Sequence, residues 1–157
     1  MMTLTGRLSD RDAWQATECS IAKAIGIIGT RSAMLILREA FYGATRFDQF
    51  ARRVGITDAV TSARLKELTD AGIFTKVPYQ EPGQRARFEY RLTEMGRELL
   101  PVVVGLMQWG DRYLQPDGGP LRLTEHGTDD VVRVDVRSAA GKVLDADDID
   151  VARRRNH

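Results

Sequence analysis

Apolar residues recur with helical spacing through the first half of the chain. Between Ala13 and Ile28 they fall at Ile21, Ala24, Ile25 and Ile28, which predicts a helix. Gly29–Thr30 interrupts it, and Thr30 is a suitable N-cap for a second helix over Arg31–Phe41. That helix carries Met34, Leu35, Leu37 and Phe41 and is expected in the core. Gly43–Ala44–Thr45 ends it. A short helix is then predicted over Arg46–Val54, with Phe47, Phe50 and Val54 on one face. Gly55 supplies the permissive backbone of a tight turn, and Thr57 caps a further helix running to Ala71, stopped by Gly72.

The period then falls from 3.6 to 2. Ile73–Val77 and Arg87–Leu92 read as paired strands, joined by the loop Pro78–Arg85 with its Pro82–Gly83 turn. Helix, short turn, helix and hairpin in this order is the layout of a winged helix. The expected fold class is mainly α (α+β): a winged helix-turn-helix with long N- and C-terminal helices and a small C-terminal β appendage. The last helix is predicted from a Thr93 cap to Leu114. It is apolar on several faces, with Leu99, Val103, Leu106, Met107, Trp109 and Tyr113. Such a helix must be covered on more than one side, and a partner chain can supply that cover. Pro101 is expected to kink it.

Residues 1–12 show no such period and are expected to be a flexible N-terminus. Residues 13–114 form the predicted winged domain, 115–120 a Pro- and Gly-rich linker, and 121–157 a small β-rich appendage. In the appendage Leu121–Thr124, Val131–Val136 and Ile149–Val151 alternate, and Ser138–Gly141 reads as a turn.

Composition adds limits. The 157 residues hold 23 Lys and Arg against 22 Asp and Glu, so bulk positive charge cannot be the basis of binding. The charge is unevenly placed: 9 basic against 6 acidic residues over 44–92, and 9 against 12 over 93–157. A modestly basic segment therefore precedes an acidic one. No apolar run approaches the ~18 residues of a membrane span, and no signal-peptide pattern opens the chain, so a cytoplasmic location is expected. A single cysteine, Cys19, excludes an intrachain disulfide and any multi-cysteine metal site. The two histidines, His126 and His157, both lie in the last third. No nucleophile–base pair, metal cluster or phosphate-cradling loop is visible, so neither an enzyme nor a cofactor is expected.

A specific set of fragments carries a family resemblance. In order they are Cys19, Ala24–Gly29, Leu35–Glu39, Arg46–Phe50, Arg64–Leu68, Asp70–Ile73 and Phe88–Thr93 with Gly96. Together they resemble the HxlR family of bacterial winged-helix transcription regulators over roughly residues 18–114. The resemblance implies a dimeric regulator of double-stranded DNA, paired through its first and last helices; Ile21 and Ile25 would join the last-helix residues at that interface. The chain departs from the family at Ser32, where Trp is usual, at Ala59, where a basic or amide residue is usual, and at Ala63, often Gln. The tail resembles appendages with a Cys-x-x-Cys-Gly metal turn, but Arg137–Ser138–Ala139–Ala140–Gly141 keeps only the glycine, so no structural zinc is expected.

Stepping 100° per residue from Thr57 places Val60, Leu65, Leu68 and Ala71 towards the core. Asp58, Ala59, Ser62, Ala63, Lys66 and Thr69 face outward and would enter the major groove. Hydrogen-bond readout on this face is thin, which shifts weight to DNA shape and the wing. Arg64 stands between a structural salt bridge and a phosphate contact, and Lys66 is expected to face phosphate. Arg85 and Arg87 flank the wing turn, and Arg52 or Arg53 ends the first helix of the motif; both sets can serve the backbone. Cys19, four residues before Lys23, is a candidate redox switch, although an inert buried thiol fits equally. A small-molecule or oxidant effector is thus part of the expectation. The competing reading is a winged helix used for protein–protein contact, with weak or no DNA binding.

Overall fold

The computed structural model describes residues 1–15, 17–83 and 85–153; Ala16, Gln84 and residues 154–157 are not described. Gln84 of the predicted loop and the last four residues of the predicted appendage therefore lie outside the described residues. The chain divides into two compact units, Ser20–Leu123 and Met1–Cys19 with Thr124–His157.

Ser20–Leu123 is built from helices α1 (Ser20–Ile28), α2 (Arg31–Phe41), α3 (Phe47–Val54) and α4 (Asp58–Asp70), followed by strands β2 (Phe74–Tyr79) and β3 (Arg87–Leu92) and helices α5 (Glu94–Arg97) and α6 (Leu100–Tyr113); strand β1 (Thr3–Leu4) and strand β4 (Asp150–Val151) belong to the other unit. Three threonines start helices as their positions foretell. The Thr30, Thr57 and Thr93 hydroxyls accept from the N–H groups of Ala33, Val60 and Gly96. Gln49 works differently: its Oε1 accepts from the N–H groups of Thr45 at 2.9 Å and Arg46 at 3.1 Å, fixing the entry to α3. Gly55 ends α3 at φ 71°, the left-handed geometry that keeps the connection to α4 to three residues.

The core is Ile28, Ala33, Ile36, Leu37, Ala44, Phe50, Val54, Leu65, Leu68, Ile73 and Phe74. At its centre Phe50 is fully buried and meets Phe74 and Tyr90 edge-on at 6.0 and 6.5 Å. On α2 the buried apolar positions are Ala33, Ile36 and Leu37, while the expected Met34 and Leu35 are only half-buried against the core. β2 and β3 pair antiparallel from Phe74↔Leu92 to Tyr79↔Arg87. A bridge from Arg46 to Glu89 and a 2.7 Å bond from the Tyr90 N–H to the Thr45 carbonyl tie the hairpin to the start of α3.

Several boundaries differ from expectation. The first helix begins at Ser20, not Ala13, because Arg11–Ala13 forms a separate 3-10 turn capped by Asp10. At nine residues α1 is short, so the expected long N-terminal helix is not found. The final helix is two helices: α5 ends near Glu98 and α6 starts at Leu100, with Pro101 in its first turn. Pro101 therefore starts a helix instead of kinking one, since its missing N–H has no partner to lose there. Gly96 lets α5 press on the strand: a Cβ there would collide with the Ile73 carbonyl oxygen.

In the other unit β1 pairs parallel with β4, Thr3 opposite Asp150 and Leu4 opposite Val151. Residues 1–12, expected to be flexible, thus supply a strand to the C-terminal segment. That segment is less β-rich than predicted. Besides β4 it holds isolated bridges, Thr124↔Val131 and Arg137↔Val143, a 3-10 turn at Ala146–Asp148, and exposed Val132, Val134 and Val136. The turn at Ser138–Gly141 forms as expected, with the Gly141 N–H bonded to the Ser138 carbonyl at 2.9 Å. Alternation overstated the strands: among the described residues of this segment only β4 and the two isolated bridges pair, and the alternating valines stay exposed.

Candidate nucleic-acid interface

A helix-turn-helix must expose one face of its second helix, and α4 does. Thr57, Asp58, Ala59, Ser62, Ala63 and Lys66 are all exposed. The predicted core arc needs two corrections. Val60 is 39% exposed and Thr61, not assigned to either face, is fully buried. Thr61 tolerates this because its hydroxyl donates to the Thr57 carbonyl at 3.0 Å, leaving its methyl for the core. Thr69, expected to face outward, is half-buried and donates its hydroxyl to the Leu65 carbonyl at 2.6 Å. The outward face is thus Thr57, Asp58, Ala59, Val60, Ser62, Ala63 and Lys66.

Its cations are already engaged. Lys66 Nζ lies 2.5 Å from Asp70 Oδ2, and Arg64 is paired with Glu67. The hydrogen bond to Asp70 raises the Lys66 pKa above the usual lysine value. Arg64 therefore takes the structural side of its two readings, with a half-buried side chain whose Nε is buried without a hydrogen-bond partner among the described residues. Asp58 occupies the first helical turn.

The hairpin carries cations of a different kind. The side chains of Arg85 and Arg87 are exposed and form no ion pair or hydrogen bond among the described residues; those of Arg52 and Arg53 at the end of α3 are likewise exposed and unpaired among them. By contrast Arg46, at the root of the hairpin, is held by Glu81 at 2.8 Å, faces Glu89 at 3.9 Å and stacks on the Tyr79 ring at 4.6 Å. The hydrogen bond to Glu81 is the main cause of its raised pKa. The sequence reading passed over Lys76. It is an exposed cation on β2, 5.8 Å from the centre of the Phe88 ring and 5.7 Å from that of Tyr90. Strand alternation would have hidden it, since it places Lys76 on the same face as the buried Phe74. Phe88 itself is 53% exposed.

The positions assigned to a subunit interface separate into two groups. Ile21, Ile25, Leu106, Trp109 and Tyr113 are 55–70% exposed. Leu99 and Val103 instead pack against the core, and Met107 is half-buried, 3.7 Å through its sulfur from the Tyr42 hydroxyl. Of α1 only Ile28 is buried. Cys19 is the half-buried residue immediately before α1, so the helical spacing assumed between it and Lys23 does not apply. Among the described residues no group of three or more His, Cys, Asp or Glu could hold a metal ion, and no single helix is long and apolar enough to cross a membrane.

This geometry agrees with known proteins. A family profile described as HxlR-like helix-turn-helix matches residues 27–118. An uncharacterised HTH-type transcriptional regulator of Mycobacterium tuberculosis is 48% identical over 108 residues, covering 68% of this chain and 67% of that protein. The crystal structure of PA1607, described as a candidate transcription factor, superposes with a TM-score of 0.78 at 37% identity, over 88% of this chain and 97% of that one. That share is larger than Ser20–Leu123 alone can supply. The redox regulator HypR in its reduced form matches with a TM-score of 0.54 at 28% identity, over 61% of this chain and 96% of that one. With its winged helix-turn-helix formed by α2–α4 and the β2–β3 hairpin, the chain belongs to the HxlR-like helix-turn-helix family.

Proposed function

We propose that the protein is a homodimeric, sequence-specific DNA-binding transcription regulator acting in the cytoplasm as a repressor. One observation carries the reading: α4 presents an exposed, small-residue face beside a hairpin whose Arg85 and Arg87 have no partner among the described residues. Small side chains allow a helix to sit deep in the major groove. Ala59, Ala63 and Val60 suit thymine methyl groups, Ser62 suits either base class, and Asp58 can accept from a cytosine amino group. Lys66, Arg85, Arg87, Arg52 and Arg53 are the phosphate-directed cations, and Arg64 acts by bracing the helix through Glu67.

The apolar surface of α1 and α6 supports the dimer. Ile21 and Ile25 on α1 and Leu106, Trp109 and Tyr113 on α6 are each 55–70% exposed, and a second copy of the chain is the cover that supports the reading. Two heads related by a twofold axis would read a two-part site, which compensates for the few base-directed donors on each α4. Cys19 is the candidate sensor of oxidants in this reading. HypR, a redox regulator, supports that role by its likeness. Diamide treatment is expected to change operator affinity in the native protein and not in Cys19→Ser.

Fluorescence anisotropy with the duplex upstream of the protein's own gene, repeated at several salt concentrations, tests the reading. Tight binding with a linear fall of log affinity against log salt is expected. Absence of binding to any neighbouring promoter fragment would favour a protein–protein module, the reading that the pairing of Lys66 and Arg64 with acids supports.

A further inference from the structure

Helices α2 and α6 do not close on each other completely. Between them lies a cavity of about 320 Å³ within Ser20–Leu123. Its apolar walls are Met34, Leu35, Val103, Met107 and Leu106, the last also in the proposed subunit interface, and the chain after α6 returns over it with Pro120 and Leu121. The predicted linker therefore contributes to the cavity instead of merely spacing two parts. At this size the cavity is at the lower end of small-molecule sites, which run from about 300 to 1,000 Å³.

Three polar side chains reach it: Arg38, Tyr42 and Asp111. Arg38 is already neutralised, its Nε and Nη2 donating to Glu39 Oε1 at 3.0 and 2.6 Å. Glu39 is itself only 7% exposed, so this pair is a fixed part of the helix packing. The Asp111 carboxylate, half-buried on α6, makes no ion pair or hydrogen bond with any described residue. It stands against Gly119, where any Cβ would collide with it. Once the Arg38–Glu39 pair is counted as neutral, one negative charge remains among apolar walls.

We infer that the cavity between α2 and α6 binds a small organic monocation with an apolar body, such as an aralkyl ammonium ion, its charge beside Asp111. Tyr42 offers an aromatic ring to the cation, and Met34 and Met107 are polarizable, adaptable walls for varied apolar groups. An organic anion is disfavoured, because the one cation present is committed to Glu39 and Asp111 repels it. Helix α2 also packs on α3 and α4, so an occupant would bear on the winged head. Any effect on operator affinity rests on the DNA-binding reading above, whereas the site itself can be tested without DNA.

Isothermal titration calorimetry of the full chain with benzyltriethylammonium and with 3-phenylpropionate is the test. The cation is expected to bind at one site per chain and the anion at least about tenfold more weakly. Asp111→Asn should weaken the cation about tenfold with an unchanged thermal melt. Met107→Trp, which fills the cavity without touching its charge, should abolish cation binding. Absence of cation binding to the native protein, equal or tighter binding of the anion, native-like cation affinity in Asp111→Asn, or retained binding in Met107→Trp would each overturn the assignment.

Discussion

Arg85 and Arg87 allow a quantitative test of how the protein would hold DNA. Both are exposed and unpaired among the described residues, whereas Lys66 is bound to Asp70 and Arg46 to Glu81. Replacing both wing arginines by alanine removes two phosphate contacts per protomer and four per dimer. Each neutralised phosphate contributes about 0.9 to the slope of log affinity against log salt, so the slope should become shallower by about 3.6. Between about 50 and 200 mM salt that corresponds to roughly a hundredfold smaller loss of affinity for the variant than for the native protein. Lys66→Ala should change the slope by less than about 2, because Lys66 must give up Asp70 before it gains a phosphate. The assay is anisotropy of a labelled promoter duplex over a salt series. An unchanged slope in Arg85→Ala/Arg87→Ala, or a larger change in Lys66→Ala, would refute this division of labour between wing and helix.

Other outcomes follow from packing and exposure. Phe50→Ala empties the centre of the core and should cost about 3–5 kcal/mol in a denaturant unfolding experiment. Gly96→Ala forces α5 away from the Ile73 carbonyl and should lower stability by about 1–3 kcal/mol, seen as a reduced Tm. Trp109→Glu, at a position 55% exposed, should leave the melt of each chain nearly unchanged but shift the light-scattering mass from dimer towards monomer. A native protein that runs as a monomer would remove the basis for that expectation. Asp70→Asn releases Lys66 and should tighten DNA binding measured at low salt, whereas weaker binding would mean that the ion pair positions the lysine for its contact.

Much of the winged head was legible because its signals are local. Thr30, Thr57 and Thr93 cap the helices they were expected to cap, Gly55 turns where a left-handed residue was needed, and the change of period marks the hairpin. Individual faces were less legible. Helical spacing alone put Val60 inside, but the packing chose Thr61, whose hydroxyl could be satisfied within its own helix. The candidate cations could be named from the chain, yet only their neighbours separate the engaged Lys66 and Arg64 from Arg85 and Arg87, whose side chains have no partner among the described residues.

What the sequence by itself determined is the order of elements and the family to which they belong, since caps, turns and hydrophobic periods act over a few residues. The tertiary structure decided the rest. It paired Thr3–Leu4 with Asp150–Val151, residues too distant in the chain for any local pattern to link. It split the last helix at Glu98–Leu99, just ahead of Pro101, brought Pro120 and Leu121 back over the gap between α2 and α6, and left Asp111 there without a partner among the described residues. Each depends on which surfaces meet, and burial and charge compensation are set by those meetings, not by the spacing of residues along the chain.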